Sequence, residues 1–210
     1  MITRRKALYL TALAGASLAL PAGALGAEGD MHSINALMAP EGLVDRPLGP
    51  ADAAVTVIEY ASPTCPHCAT FHVDTYPALK EQYVDTGKIQ FILRPFIRNV
   101  PDAAVFMLAE CSDESYHDLI AAYFERQDEW ASSNAMRDAI YAIAQDFGFT
   151  EETFAACLDD QDLYATIEAE RTQAIEQFDL EATPTFYING KQVSGALPID
   201  AMAAEIDPLL

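Results

Sequence analysis

The sequence predicts an α/β protein in which a small sheet domain is interrupted by an all-helical insert. Two apolar runs suit strands, VTVIEY at 55–60 and IQFILRPF at 89–96, and a helical pattern joins them. A long stretch of 3.6-residue periodicity follows with no strand-like run in it. Near the end, TFYI and KQV flank Asn189–Gly190, the favoured two-residue hairpin turn. Strands at both ends with helices between them mean one domain set inside another.

Taken in order, residues 1–27 read as an export signal. Arg4, Arg5 and Lys6 precede an uncharged run, and small residues mark cleavage near Ala24 to Ala27. Arg4–Arg5 with Leu8 fits a twin-arginine signal, except that Ala7 stands where an aromatic is preferred. An ordinary Sec signal fits equally well. Pro21 and the glycines interrupt the apolar run, which weighs against an uncleaved membrane anchor. Residues 28–50 are rich in Gly and Pro and read as a poorly ordered lead-in. Residues 51–97 and 179–210 supply the sheet domain, and 98–178 supply the helical insert. Phe71, Tyr76, Leu79 and Tyr83 place a helix after the first strand, with Gly87 as its stop. Within the insert, Leu119, Ile120, Tyr123 and Phe124 mark one helix face. Met136, Ile140, Ile143 and Ala144 mark another, Phe154, Cys157 and Leu158 a third, and a further helix runs to about Phe178. PIDAMAAEIDPLL closes the chain as an amphipathic helix.

The 210-residue chain has a formal net charge of −20. Removing residues 1–27 takes away three basic residues and no acidic one, which makes it −23. Such a surface repels phosphate backbones and anionic lipid, so nucleic-acid binding is not expected. Export into an oxidising compartment leaves all four cysteines able to pair. Of the three pairings open to four cysteines, Cys65–Cys68 with Cys111–Cys157 is the most natural.

The chemistry is concentrated in ASPTCPHCATFH, residues 61–72. The strand feeds Cys65 into a helix start, where free N–H groups and the helix dipole favour a thiolate. Because only the reduced form carries that thiolate, its stabilisation makes the disulfide more oxidising. Pro66 suits the first helical position. His67 is placed to donate a hydrogen bond to the Cys65 sulfur or to add positive charge there. Cys68, one turn further in, is suited to resolving a mixed disulfide. Cys65, Cys68 and His72 also form C-x₂-C-x₃-H, half of a zinc site, but no second half follows. No metal is expected, and an inert disulfide staple is the other weaker reading. Downstream, ATPTF at 182–186 puts Pro184 at a strand entrance. Either Pro184 simply opens an edge strand, or Thr183–Pro184 is cis and exposes backbone groups for an extended peptide.

CPHC after an apolar strand, a late Thr-Pro before a strand–Asn-Gly–strand, and an interposed helical block resemble the DsbA-like thiol:disulfide oxidoreductases. The resemblance runs from about Pro50 to the C-terminus. It implies a thioredoxin fold with an inserted helical domain, Cys65 as nucleophile, Cys68 as resolving cysteine, His67 as tuning residue and Pro184 as a cis-proline beside Thr183. Glu59 falls at an acidic position beneath the family's active site, where it relays protons to Cys68 or raises thiol pKa values. Read without the family, Glu59 is a strand-end carboxylate reaching solvent. Thr183 before the proline occurs in relatives that oxidise and in relatives that isomerise or reduce.

Cys111 and Cys157 lie on apolar helix faces, where two buried free thiols would pack as small hydrophobes. The oxidising setting favours a structural disulfide instead, worth about 4 kcal/mol by loop closure. His32, His72 and His117 read as surface or core residues, and Trp130 as core or domain-seam packing.

The expected function is a periplasmic oxidase that introduces disulfides into unfolded or partly folded exported proteins. It needs no cofactor beyond its own Cys65–Cys68 disulfide. By resemblance, a DsbB-like membrane quinone reductase would reoxidise it, and the protein would act as a monomer. The rivals are an isomerase or reductase kept reduced by a membrane donor, and a non-catalytic metal- or peptide-binding chaperone.

Overall fold

A computed structural model describes residues 29–210. The export signal expected at 1–27 lies outside the described residues. Four strands form one sheet: β1 (Val55–Ala61), β2 (Ile89–Pro95), β3 (Thr185–Ile188) and β4 (Lys191–Ser194), in the order β2-β1-β3-β4. β1 runs parallel to β2 and antiparallel to β3, so the strand before the cysteines has a partner on each edge. That position explains its near-continuous apolar sequence. Asn189 and Gly190 both have positive φ, 47° and 94°, as a type I′ hairpin turn requires. The Asn189 side chain also accepts from the Thr56 N–H at 2.8 Å, fastening the turn to β1.

The chain between β1 and β2 is one irregular helical run. α2 (Pro66–Thr70) continues through a π segment (Phe71–Thr75), α3 (Tyr76–Leu79) and a second π segment (Lys80–Val84). Pro77 has no N–H to give to the previous turn, and just ahead of it the Tyr76 N–H bonds Phe71, five residues back. The widened turn sits at His72, which packs inward.

The insert comprises α4 (Val100–Cys111), α5 (Tyr116–Glu125), α6 (Gln127–Trp130), α7 (Met136–Gln145), α8 (Glu151–Leu158) and α9 (Gln161–Phe178). Its apolar residues join the sheet's in one continuous core, from Val57 and Phe71 through Leu108 and Tyr123 to Phe154. Trp130 is fully buried there and donates to the Tyr123 carbonyl at 2.8 Å. α9 serves both parts: Ile167 lies in that core, whereas Ala174 and Phe178 cover the other sheet face with Ile58, Tyr60 and Tyr187. α10 (Ile199–Ile206) closes the first face through Met202 and Ile206. Among the described residues, no helix is long and apolar enough to cross a membrane.

The lead-in departs from the sequence expectation. Rather than lying loose, it forms a short helix, α1 (Ile34–Leu37), whose Leu37 is fully buried. Arg94, 2% exposed on β2, holds it down. Its guanidinium donates to both Asp45 oxygens at 2.7 Å, to the Leu37 carbonyl at 2.6 Å and to the Tyr60 hydroxyl at 2.9 Å. A buried arginine requires this degree of pairing, and the lead-in supplies most of it.

Candidate active site

β1 ends beneath the loop Ser62–Thr64, and Cys65 is the N-cap of α2 with extended backbone (φ −82°, ψ 118°). Asp102 of α4, fully buried, fixes that loop. Its carboxylate accepts from Ser62 Oγ, the Thr64 N–H and the Arg98 N–H at 2.8 to 2.9 Å. From the opposite side, Gln127 Nε2 donates to the Pro63 and Cys65 carbonyls at 2.6 and 3.0 Å. Sequence reasoning missed both residues, because each acts from the insert on backbone distant in sequence. The polarity of Asp102 within a largely apolar helix was a signal; Gln127, in the polar run QDEW, gave none.

Cys65 and Cys68 are free thiols, 3% and 0% exposed. The hydrogen bond from Cys68 lowers the Cys65 pKa to about 5, against burial, which works the other way. The backbone N–H groups of Cys68 and His67 add to the lowering. As a thiol, Cys65 donates to the Thr183 carbonyl at 3.3 Å. The Thr183–Pro184 peptide is cis, and the Thr183 hydroxyl is buried without a hydrogen-bond partner. The Cys68 pKa moves the opposite way, raised chiefly by burial, then by its bond to Cys65 and by the charge of Glu59. The two thiols are therefore separated in acidity.

Of the two roles expected for His67, a hydrogen bond to the sulfur or added positive charge, the structure bears on the hydrogen bond. The His67 ring is exposed and forms no hydrogen bond to the Cys65 sulfur; the group that reaches the sulfur is its backbone N–H. Pro66 is exposed at the first helical position. Glu59 is fully buried, not a strand-end carboxylate in water. Its partner is His72, whose Nε2 donates to the two carboxylate oxygens at 3.0 and 3.2 Å. His72 is 8% exposed and stacks on Phe124 of α5 at 4.1 Å between ring centroids. What read as a surface or core histidine is the companion of the carboxylate whose charge raises the Cys68 pKa. Among the described residues, no group of three or more His, Cys, Asp or Glu is placed to hold a metal ion. Far from this site, Cys111 at the end of α4 is joined to Cys157 in α8, with Cα atoms 6.2 Å apart. His32 stands edge-on to Tyr187 and His117 edge-on to Tyr116, and neither is hydrogen-bonded to the cysteines.

A cysteine pair at a helix start thus faces a cis-proline loop on a mixed four-stranded sheet. The thioredoxin family model matches residues 43–208. A Rickettsia bellii protein named as a protein-disulfide oxidoreductase is 36% identical over 168 residues, 78% of this chain and 63% of its own length. The chain belongs to the DsbA-like branch of the thioredoxin family. The crystal structure of Wolbachia pipientis alpha-DsbA1 superposes with a TM-score of 0.74 at 30% identity, covering 79% of this chain and 90% of that one. A protein-disulfide isomerase from Novosphingobium aromaticivorans gives 0.68 at 27% identity, covering 81% and 99%. The chain spans about three-fifths of the length of the curated rickettsial relatives it matches.

In this DsbA-like protein the depressed Cys65 pKa ties stability to pH. Folded, Cys65 ionises near 5; unfolded, near the ordinary 9.0. Between those values the unfolded chain holds one more proton, so the reduced form gains stability over the oxidised form as pH rises. The expected slope is about 1.4 kcal/mol per pH unit, vanishing below pH 5. Cys68, with its raised pKa, is protonated in both states across most of that window and does not oppose the trend. Paired denaturant melts of the two forms from pH 4 to 8 measure it; parallel curves would show that Cys65 is not acidic.

A second expectation concerns Glu59. It touches His72 and makes no hydrogen bond to Cys68, so it acts on that thiol through its charge. Glu59→Gln will lower the Cys68 pKa and speed release of a small thiol from Cys65 at pH 7 by several-fold. The pH profile of that release reads it. Slowing by about 10²-fold would mean instead that the carboxylate takes the Cys68 proton.

Proposed function

We propose that the protein is a periplasmic dithiol oxidase that passes its Cys65–Cys68 disulfide to exported polypeptides. The observation that carries this reading is the acidic, N-capping Cys65 set against the Thr183 carbonyl and cis-Pro184. A substrate thiolate attacks Cys65 Sγ, the Cys65–Cys68 bond breaks, and Cys68 leaves and takes a proton. A second substrate thiolate then attacks the substrate sulfur. The mixed disulfide breaks, the substrate gains its disulfide, and Cys65 departs with the electron pair as a stabilised thiolate. Both electrons end on the Cys65–Cys68 dithiol. Cis-Pro184 and Thr183 would align an extended substrate beside the sulfur.

The substrates on this reading are unfolded or partly folded exported proteins. A DsbB-like membrane quinone reductase restores the disulfide, no cofactor is required, and the protein works as a monomer. A Sec or twin-arginine signal at 1–27 delivers it. The division into a sheet domain (51–97 plus 179–210) and an inserted helical domain (98–178) is part of the same proposal. Thr183 before the cis-proline, together with the isomerase name of a structural relative, favours one alternative: an isomerase or reductase kept reduced by a membrane donor.

Equilibration with glutathione tests the direction. A potential well above the glutathione pool, with a 240 nm thiolate transition near pH 5, is the expected result. A thioredoxin-like potential with a near-neutral thiol would leave the isomerase or reductase.

A further inference from the structure

We propose that Asp102, in the insert, is a positioning residue for disulfide exchange: by holding the Ser62 side chain it aims the Ser62 N–H at Cys68 Sγ, the sulfur that leaves. The inference rests on the disulfide-exchange reading and names what that reading leaves open, the group that steadies the departing sulfur. When a thiolate attacks Cys65 Sγ, a new S–S bond forms there, the Cys65–Cys68 bond breaks, and the electron pair goes to Cys68 Sγ. Until a proton arrives, that sulfur is an anion in a dry site. Burial, the bond to Cys65 and the charge of Glu59 all oppose it. Among the main influences on Cys68, the Ser62 N–H alone favours the thiolate, donating to the sulfur at 3.5 Å. A donor fixed before charge develops needs no reorganisation as the bond breaks, and that makes it effective.

Three constraints set the direction of that N–H. β1 ends at Ala61, so the next N–H leaves the ladder. Pro63 restricts the residue before it to extended backbone. The third constraint comes from the insert. Ser62 Oγ donates to Asp102 Oδ2 at 2.8 Å and accepts from Arg98 Nε at 2.9 Å. Asp102 Oδ1 accepts from the Thr64 N–H at 2.8 Å, so one carboxylate grips the residues on both sides of Pro63. Oδ2 also accepts from the Arg98 N–H at 2.9 Å, and the Arg98 guanidinium lies 3.9 Å away. An ionised carboxylate only accepts, which suits a place where each of these neighbours donates; an amide there would turn its own N–H groups toward donors. The Cys65 thiolate takes its donors from α2 instead, from the Cys68 thiol and the Cys68 and His67 N–H groups. Asp102 should therefore matter where Cys68 departs and not where Cys65 does.

Two reactions of the full-length protein, followed by quenched-flow mass spectrometry in Ser62→Ala and Asp102→Asn, test the proposal. In the first, dithiothreitol reduces the Cys65–Cys68 disulfide, and its attack on Cys65 expels Cys68. In the second, in a Cys68→Ser background with glutathione loaded on Cys65, dithiothreitol attacks the glutathione sulfur and expels Cys65. At pH 7 each substitution is expected to slow the first reaction about tenfold and to change the second by less than about twofold. The loss is smaller than the roughly 10²- to 10³-fold for deleting such a donor, because the N–H is displaced and not removed. The double variant should be no slower than the slower single one, since Asp102 acts through Ser62. Should Asp102→Asn fail to fold, Ser62→Ala reads the same contact. Equal slowing of both reactions would make Asp102 a brace of the loop and overturn the proposal, as would an unchanged first reaction or additive losses in the double variant. Unsubstituted oxidised protein that dithiothreitol reduces but that leaves a reduced peptide untouched would overturn the exchange reading instead.

Discussion

Cys65→Ser will abolish disulfide exchange, with a loss on the order of 10³-fold or more in peptide oxidation. The thiol that the structure makes acidic is removed, and Cys68 does not replace it, being fully buried with a pKa raised by that burial. Cys68→Ser will behave differently. It leaves Cys65 able to form a mixed disulfide but removes the neighbour that would resolve it, so substrate accumulates covalently on the protein. Intact-mass spectrometry after reaction with a disulfide-bonded peptide, one sulfur of which leaves as a thiolate when Cys65 attacks the other, distinguishes the two: bare protein for Cys65→Ser, an adduct for Cys68→Ser. An adduct on Cys65→Ser would reverse the two roles. Removing Cys68 also deletes the largest influence holding down the Cys65 pKa, so the 240 nm transition of Cys68→Ser should lie above pH 5.

The Cys111–Cys157 disulfide carries the largest expected effect on stability. It closes a loop with a sequence separation of 46 residues, through α5, α6 and α7. By the chain-entropy argument, replacing both cysteines with alanine costs about 4 kcal/mol. For a protein of this size that corresponds to a melting temperature lower by roughly 8 to 16 °C. Cys111 is exposed and Cys157 is buried, so little packing is lost with them and most of the effect arises in the unfolded chain. Exchange kinetics at low temperature should be unchanged, because the bond lies in the insert and not beside Cys65. An unaltered melting temperature would show that the unfolded chain is not constrained by this loop.

Much of the fold was legible because its signals are local. β1 reads as an inner strand because both of its faces are covered, and Asn189–Gly190 reads as a hairpin because few other dipeptides accept two positive φ angles. Cys65 at a helix start follows from a strand ending and a proline entering the next helix. Other features left weak traces. Arg94 sits in an otherwise apolar strand, and nothing near it in sequence tells that Asp45 of the lead-in will meet it. The lead-in, rich in Gly and Pro, looked loose for that reason. His72 lies on the same helix face as Cys68, yet only the sheet beneath shows that it turns to Glu59.

The sequence by itself determined the order of elements, the dithiol at the head of a helix and the cysteines available for a second disulfide. These depend on backbone preferences and side-chain periodicity over a few residues. Tertiary structure alone decided that the Thr183 carbonyl, 118 residues away, faces the Cys65 sulfur, that Glu59 is dry and paired, and that Asp102 and Gln127 hold the catalytic loop. The acidity of one thiol and the reluctance of the other follow from desolvation and from donors at a few ångströms. Those depend on what covers a group, and that is settled only when distant segments pack.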